Sequence, residues 1–123
     1  PTPNTAIPEE RDVNGFFVKA DYKTVRIDYR DIVYAESMSE YMRIHLEGVS
    51  RPIITLLTMH RLEEILPSDR FLRVHRSYIV NMEKVSEVSR LRIVFGKDTY
   101  IPVGEQYKDK FMQFIGRYFV GKE

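Results

Sequence analysis

The chain has 123 residues, 43% of them hydrophobic and 12% aromatic, which is enough apolar material for one packed core and too little length for two ordinary domains. It contains no cysteine, which excludes a disulfide framework, a thiolate nucleophile and a cysteine-based zinc site, and makes the cytoplasm the default expectation. A net charge of +1 points to no partner by itself, and no apolar run approaches the roughly 18 residues of a membrane span.

Residues 1–15 hold three prolines, four charges and little apolar content, and are expected to form a linker ahead of a folded domain at 16–123. The start lacks the charged and apolar stretches of a secretory signal. Beginning at Pro1 rather than Met, the chain is expected to be part of something longer. Residues 16–20 and 24–28 have strand composition and are joined by Asp21-Tyr22-Lys23, which predicts a hairpin. Residues 32–35 are a continuous apolar run of strand length. Met42, Ile44 and Leu46 alternate with Tyr41, Arg43 and His45, so a second strand places three apolar side chains on one face. The polar stretch Glu36-Ser37-Met38-Ser39-Glu40 between them is expected to be an exposed loop.

Thr58 can cap a short helix whose apolar positions are Met59, Leu62, Ile65 and Leu66 and whose stop is Pro67. Further strands are predicted at 71–75, 85–88, 91–95 and 99–103, with Gly96-Lys97-Asp98 as a tight turn. Tyr107, Phe111, Phe114, Ile115, Tyr118 and Phe119 then form a stripe at helical spacing, expected to pack against the core. The predicted fold is mainly β, with two short helices and no internal repeat.

No catalytic constellation emerges from this pattern. His45, His60 and His75 fall in three different elements and match no metal-ligand spacing. Glu63 and Glu64 are adjacent on a helix, about 100° apart, and do not converge as an acid and base pair. There is no glycine-rich phosphate loop and no nucleophile elbow. Neither an enzyme nor a cofactor is therefore expected, and the chain reads as a binding module.

Charge is distributed unevenly. Arg70, Arg73, Arg76, Lys84, Arg90 and Arg92 against Glu83 and Glu87 give this window +4 in a chain whose total is +1. A solvated sheet face would account for it equally well. Within the window, residues 70–81 alternate cationic and apolar side chains and then gather Arg76, Ser77, Tyr78 and Asn81. A guanidinium at Arg76 suits guanine O6 and N7, and Ser77 with neighbouring backbone N–H groups suits phosphate oxygens. His75 and Asn81 fit the same site or, alternatively, satisfy buried backbone groups.

The segment Phe71-Leu72-Arg73-Val74-His75-Arg76-Ser77-Tyr78-Ile79-Val80-Asn81 resembles the LytTR-type DNA-binding domain, the output module of many bacterial two-component response regulators. Asp31-Ile32-Val33-Tyr34-Ala35-Glu36, Tyr41-Met42-Arg43-Ile44-His45 and Leu62-Glu63-Glu64-Ile65-Leu66-Pro67 extend the likeness over residues 16–119. The resemblance implies an elongated set of small antiparallel sheets with short helices and a C-terminal helix, meeting successive major grooves of double-stranded DNA through loops. It carries the contacts over to Ser39, Glu40 and Tyr41, to His75, Arg76 and Ser77, and to Gly104, Glu105 and Gln106, with Lys108 positioning phosphate. It further implies a receiver domain elsewhere in the full chain, a cognate histidine kinase, and a homodimer on paired half-sites.

Many members carry a Ser-Arg pair where this chain has Gly104-Glu105-Gln106. Glu40 and Glu105 would repel phosphate, although Glu accepts from cytosine N4 and Gln106 can read adenine. Two interpretations stay open, a narrower preference with fewer phosphate contacts or an affinity that is weak until the domain dimerises. A protein-interaction or small-ligand module on the same β scaffold is the alternative from a different class.

Overall fold

The computed structural model describes residues 14–96 and 99–121. The expected linker, apart from its last two residues, and Lys97 and Asp98 of the expected turn lie outside that range. Strands β1 (Gly15–Ala20) and β2 (Lys23–Asp28) form the first hairpin, closed by Asp21 and Tyr22 at φ 52° and 63°. That left-handed pair matches the twist of the flanking strands. The sheet begins one residue ahead of the expected boundary at Phe16, because Gly15 pairs with Asp28, an approach that a Cβ would block by colliding with the Ile27 carbonyl.

Five strands make the central antiparallel sheet in the order β5-β4-β3-β7-β6. They are β3 (Ile32–Met38), β4 (Tyr41–Leu46), β5 (Ile53–Leu56), β6 (Phe71–His75) and β7 (Tyr78–Asn81). Helix α1 (Met59–Ile65) lies between β5 and β6, and the Thr58 hydroxyl accepts the Arg61 N–H at 3.1 Å as its N-cap. A three-stranded sheet of β8 (Glu87–Ser89), β9 (Arg92–Phe95) and β10 (Thr99–Pro102) follows, and helix α2 (Lys108–Tyr118) ends the fold. The mainly β architecture of small antiparallel sheets with a C-terminal helix is as expected.

The central sheet carries a core on each face, because successive strand residues point to opposite sides. Ile32, Ala35, Met42, Ile44, Phe71 and Ile79 pack with Ile27 of β2 and with Met59, Leu62 and Leu66 of the α1 region. Val74 and Val80 face the other way and join Ile93, Phe95, Ile101, Val103 and Phe111. Each such large apolar side chain contributes about 1.5–3 kcal/mol when fully buried, so this second cluster is what attaches α2 and the three-stranded sheet.

Several local expectations need correction. The stretch expected as a loop at 36–40 is strand through Met38, leaving a two-residue turn, because Glu36, Ser37 and Met38 pair with Arg43, Met42 and Tyr41. Strands β5 and β7 were not anticipated as separate elements. The strand expected at 85–88 sits at Glu87–Ser89, since Met82–Lys84 forms a 3-10 turn capped by the Asn81 side chain. In the aromatic stripe, Phe111 and Phe114 are buried, but Tyr118 and Phe119 remain 63% and 54% exposed, because none of the described elements covers the last turn.

Candidate nucleic-acid interface

The three segments singled out in the sequence lie at one end of the fold. β3 pairs with both β4 and β7, so the β3–β4 turn and the β6–β7 turn project from the same end of the central sheet. Ser37 N–H donates to the Ser77 carbonyl at 2.9 Å and binds the two hairpins side by side. The third segment arrives from β10, where Gly104 N–H donates to the Val74 carbonyl at 2.7 Å. A Cβ at Gly104 would stand a tight 3.3 Å from the Tyr107 ring and an ordinary 3.5 Å from the His75 ring, so the glycine sits in close contact with both. His75, Arg76, Gly104, Glu105, Gln106 and Tyr107 then line one shallow cleft of about 310 Å³.

At the first turn Ser39 adopts φ 59°, and Ser39, Glu40 and Tyr41 are all exposed. Tyr41 pairs with Met38 on one side and with Leu56 of β5 on the other, which fixes its backbone while the ring stays 43% exposed. On the sheet face behind this turn, Glu36 faces Arg43 at 3.6 Å and His45 at 3.9 Å and accepts the Tyr78 hydroxyl at 3.2 Å. Tyr34 stacks on the His45 ring with centroids 4.2 Å apart. Burial under this stack lowers the His45 pKa, against the opposing pull of Glu36 and with a smaller push from Arg43. Burial and then the Glu36 charge raise the pKa of the Tyr34 and Tyr78 phenols, and the hydrogen bond adds to the rise at Tyr78.

The second turn is built differently. Its two residues, Arg76 and Ser77, are absent from the left-handed region that hairpin turns favour, and β6 carries a register shift between Arg73 and His75. Side chains hold it instead. His75 Nδ1 accepts the Ser77 N–H at 3.1 Å, which leaves Nε2 as the ring nitrogen turned away from the backbone of the turn. The turn thus uses the backbone N–H of Ser77 internally. Arg73 donates from Nη2 to the Arg76 carbonyl at 2.7 Å and from Nε to the His75 carbonyl at 3.4 Å. Among the described residues the exposed guanidinium of Arg76 makes no hydrogen bond or ion pair, leaving its planar fork available.

In the third segment Glu105 and Gln106 are exposed, and Glu105 lies 3.8 Å from Lys108 Nζ. The cation assigned to phosphate is therefore partly engaged by the neighbouring carboxylate. Asn81 lies away from this end and is 1% exposed. It donates to the Ile32 carbonyl and accepts the Glu83 N–H, so its role is to satisfy buried backbone. Arg73 and Tyr107 were not among the sequence-derived site residues, and the register shift between Arg73 and His75 breaks the strand alternation from which their relation could have been read. Among the described residues no cluster of metal-ligating side chains forms, and no helix is long and apolar enough to cross a membrane.

The family described as the LytTr DNA-binding domain matches residues 22–116. The sensory transduction protein LytT of Bacillus subtilis is 27% identical over 96 residues, which cover 74% of this chain and 39% of the relative. Its namesake from Oceanobacillus iheyensis is 35% identical over 78 residues, covering 63% of this chain and 31% of the relative. The chain thus spans well under half the length of these relatives. Among solved structures, the LytTr DNA-binding domain of a putative methyl-accepting/DNA response regulator from Bacillus cereus superposes with a TM-score of 0.70 at 20% identity. That match covers 84% of this chain and 97% of the other and shows a shared fold.

Proposed function

Since the chain belongs to the LytTr family of DNA-binding domains, we propose that it reads duplex DNA with the end of the central sheet where its three segments meet. Arg76 reads a base, His75 and Ser77 fix the register on phosphate through Nε2 and the hydroxyl, and Ser39, Glu40, Tyr41 and Gln106 tune the preference. Gly104 contributes closeness of approach, and Glu105 moderates the charge of Lys108. The turns enter successive major grooves from one side of the duplex. In the full-length protein, residues ahead of β1 act as the linker from a receiver domain that a histidine kinase phosphorylates, and two copies occupy paired half-sites. Joining two modules raises the effective concentration of the second at its half-site.

The observation that carries this reading is the unpaired Arg76 guanidinium, presented on a turn that other side chains hold from behind. The test is selection from a random duplex pool at two salt concentrations, with the native chain and Arg76→Ala in parallel. A recovered half-site that the substitution blurs supports the assignment, and binding that weakens as salt rises supports phosphate contact. No enrichment at either salt would favour the protein-interaction or small-ligand reading instead.

A further inference from the structure

Arg73 is a cation in the most basic window of the chain, yet its guanidinium is turned back into the protein. Its side chain is only 22% exposed. Nε and Nη2 take the two consecutive carbonyls of His75 and Arg76, at 3.4 and 2.7 Å. Nη1 lies 3.4 Å from Glu63 on α1, and the guanidinium carbon sits 5.6 Å from the centroid of the Tyr107 ring. One side chain thus touches α1, the β6–β7 turn and the segment that follows β10.

We propose that Arg73 is a positioning residue for DNA recognition, acting through Arg76. The inference rests on the DNA-contact reading above. In a trans peptide the N–H points opposite the C=O. Drawing the His75 and Arg76 carbonyls towards Arg73 therefore turns the N–H groups of Arg76 and Ser77 away from it. Ser77 N–H is then met by His75 Nδ1, while Arg76 N–H has no partner among the described residues. A two-residue turn without left-handed residues splays its strands unless something holds it, and the forked guanidinium does so at two carbonyls together. Its position over Tyr107 registers the third segment against the same turn. A lysine, with one point of charge, cannot reproduce that fork.

The test compares Arg73→Gln and Arg73→Lys, each with Arg76 intact and in an Arg76→Ala background, using the duplex enriched by the native chain. With Arg76 intact, both substitutions are expected to weaken binding by about tenfold, and in the Arg76→Ala background by less than about twofold, since a residue acting through Arg76 has nothing left to position. Equal losses in the two backgrounds would overturn the proposal, as would full rescue by lysine. Nitrogen NMR of the free chain supplies a readout independent of DNA. The proposal expects the hydrogen-bond signature between Ser77 N–H and His75 Nδ1 to disappear in both Arg73 variants, and its persistence in a folded variant would overturn the positioning role. If Arg76→Ala left duplex preference unchanged, the DNA-contact reading would fail, and the NMR result would still decide whether Arg73 sets the turn.

Discussion

Asn81 Nδ2 donates to the carbonyl of Ile32 at 2.9 Å, joining the end of β7 to the start of β3 across 49 residues of chain. The same side chain accepts the Glu83 N–H at 3.0 Å and caps the 3-10 turn that leads out of the sheet. One amide therefore closes the central sheet and ends its last segment, remote from the turns assigned to DNA.

Replacing Asn81 with Ala should leave the buried Ile32 carbonyl without its partner and remove the cap from the part-buried Glu83 N–H. A loss of about 2–3 kcal/mol is expected. Urea unfolding measures it, and the selected DNA sequence should be unchanged wherever the variant remains folded.

Arg76→Lys separates charge from geometry at the exposed turn. Lysine keeps a cation for phosphate but loses the bidentate fork, so discrimination at one base position should fall by about 1–3 kcal/mol while the salt slope stays the same. Competition between duplexes that differ at single positions reads this directly. Retained discrimination would remove Arg76 from base reading.

Glu105 lies 3.8 Å from Lys108 and 89% exposed at its side chain, at the edge of the cleft beside Arg76. Glu105→Gln removes a charge that repels phosphate and frees the ammonium to neutralise one. Duplex binding at low salt should tighten severalfold, and the salt slope should steepen by up to about one unit. Binding isotherms across a salt series test both, and an unchanged slope would show that Lys108 meets no phosphate.

The pKa of His45 is lowered in the fold, chiefly by burial. The unfolded chain therefore binds this proton more tightly. Its contribution favours the fold fully above the ordinary imidazole value of about 6.5 and is lost as pH falls below that value towards the lower folded one. His45→Phe keeps a ring against Tyr34 and removes the titration. Thermal midpoints measured from pH 8 to pH 5 should decline less steeply in the variant than in the native chain.

Much of the fold is legible locally. Alternation at Met42 and Ile44 identifies a strand with one buried face, and both side chains are fully buried. Thr58 and Pro67 bracket α1 because a cap and a proline act within a turn of where they stand. The β5 strand was not legible, because Ile53-Ile54-Thr55-Leu56-Leu57 is a short apolar run whose period does not separate strand from helix. Tyr118 and Phe119 continue the aromatic stripe, and periodicity reports a side chain's direction without revealing whether anything lies there to cover it.

The sequence by itself determined the residue types at each turn, the apolar faces of the longer strands and the motif that carries the family likeness. Those properties depend on neighbours within a few positions. Tertiary structure decided that residues 39–41, 75–77 and 104–106 share one end, through bonds such as Ser37 to Ser77 and Gly104 to Val74. It also decided the use of similar side chains, leaving the Arg76 guanidinium free while Arg73 serves the carbonyls behind it. Two arginines three positions apart have the same local chemistry. What separates them is which one the bulged strand and the neighbouring helix remove from water, a property set by contacts distant in the chain.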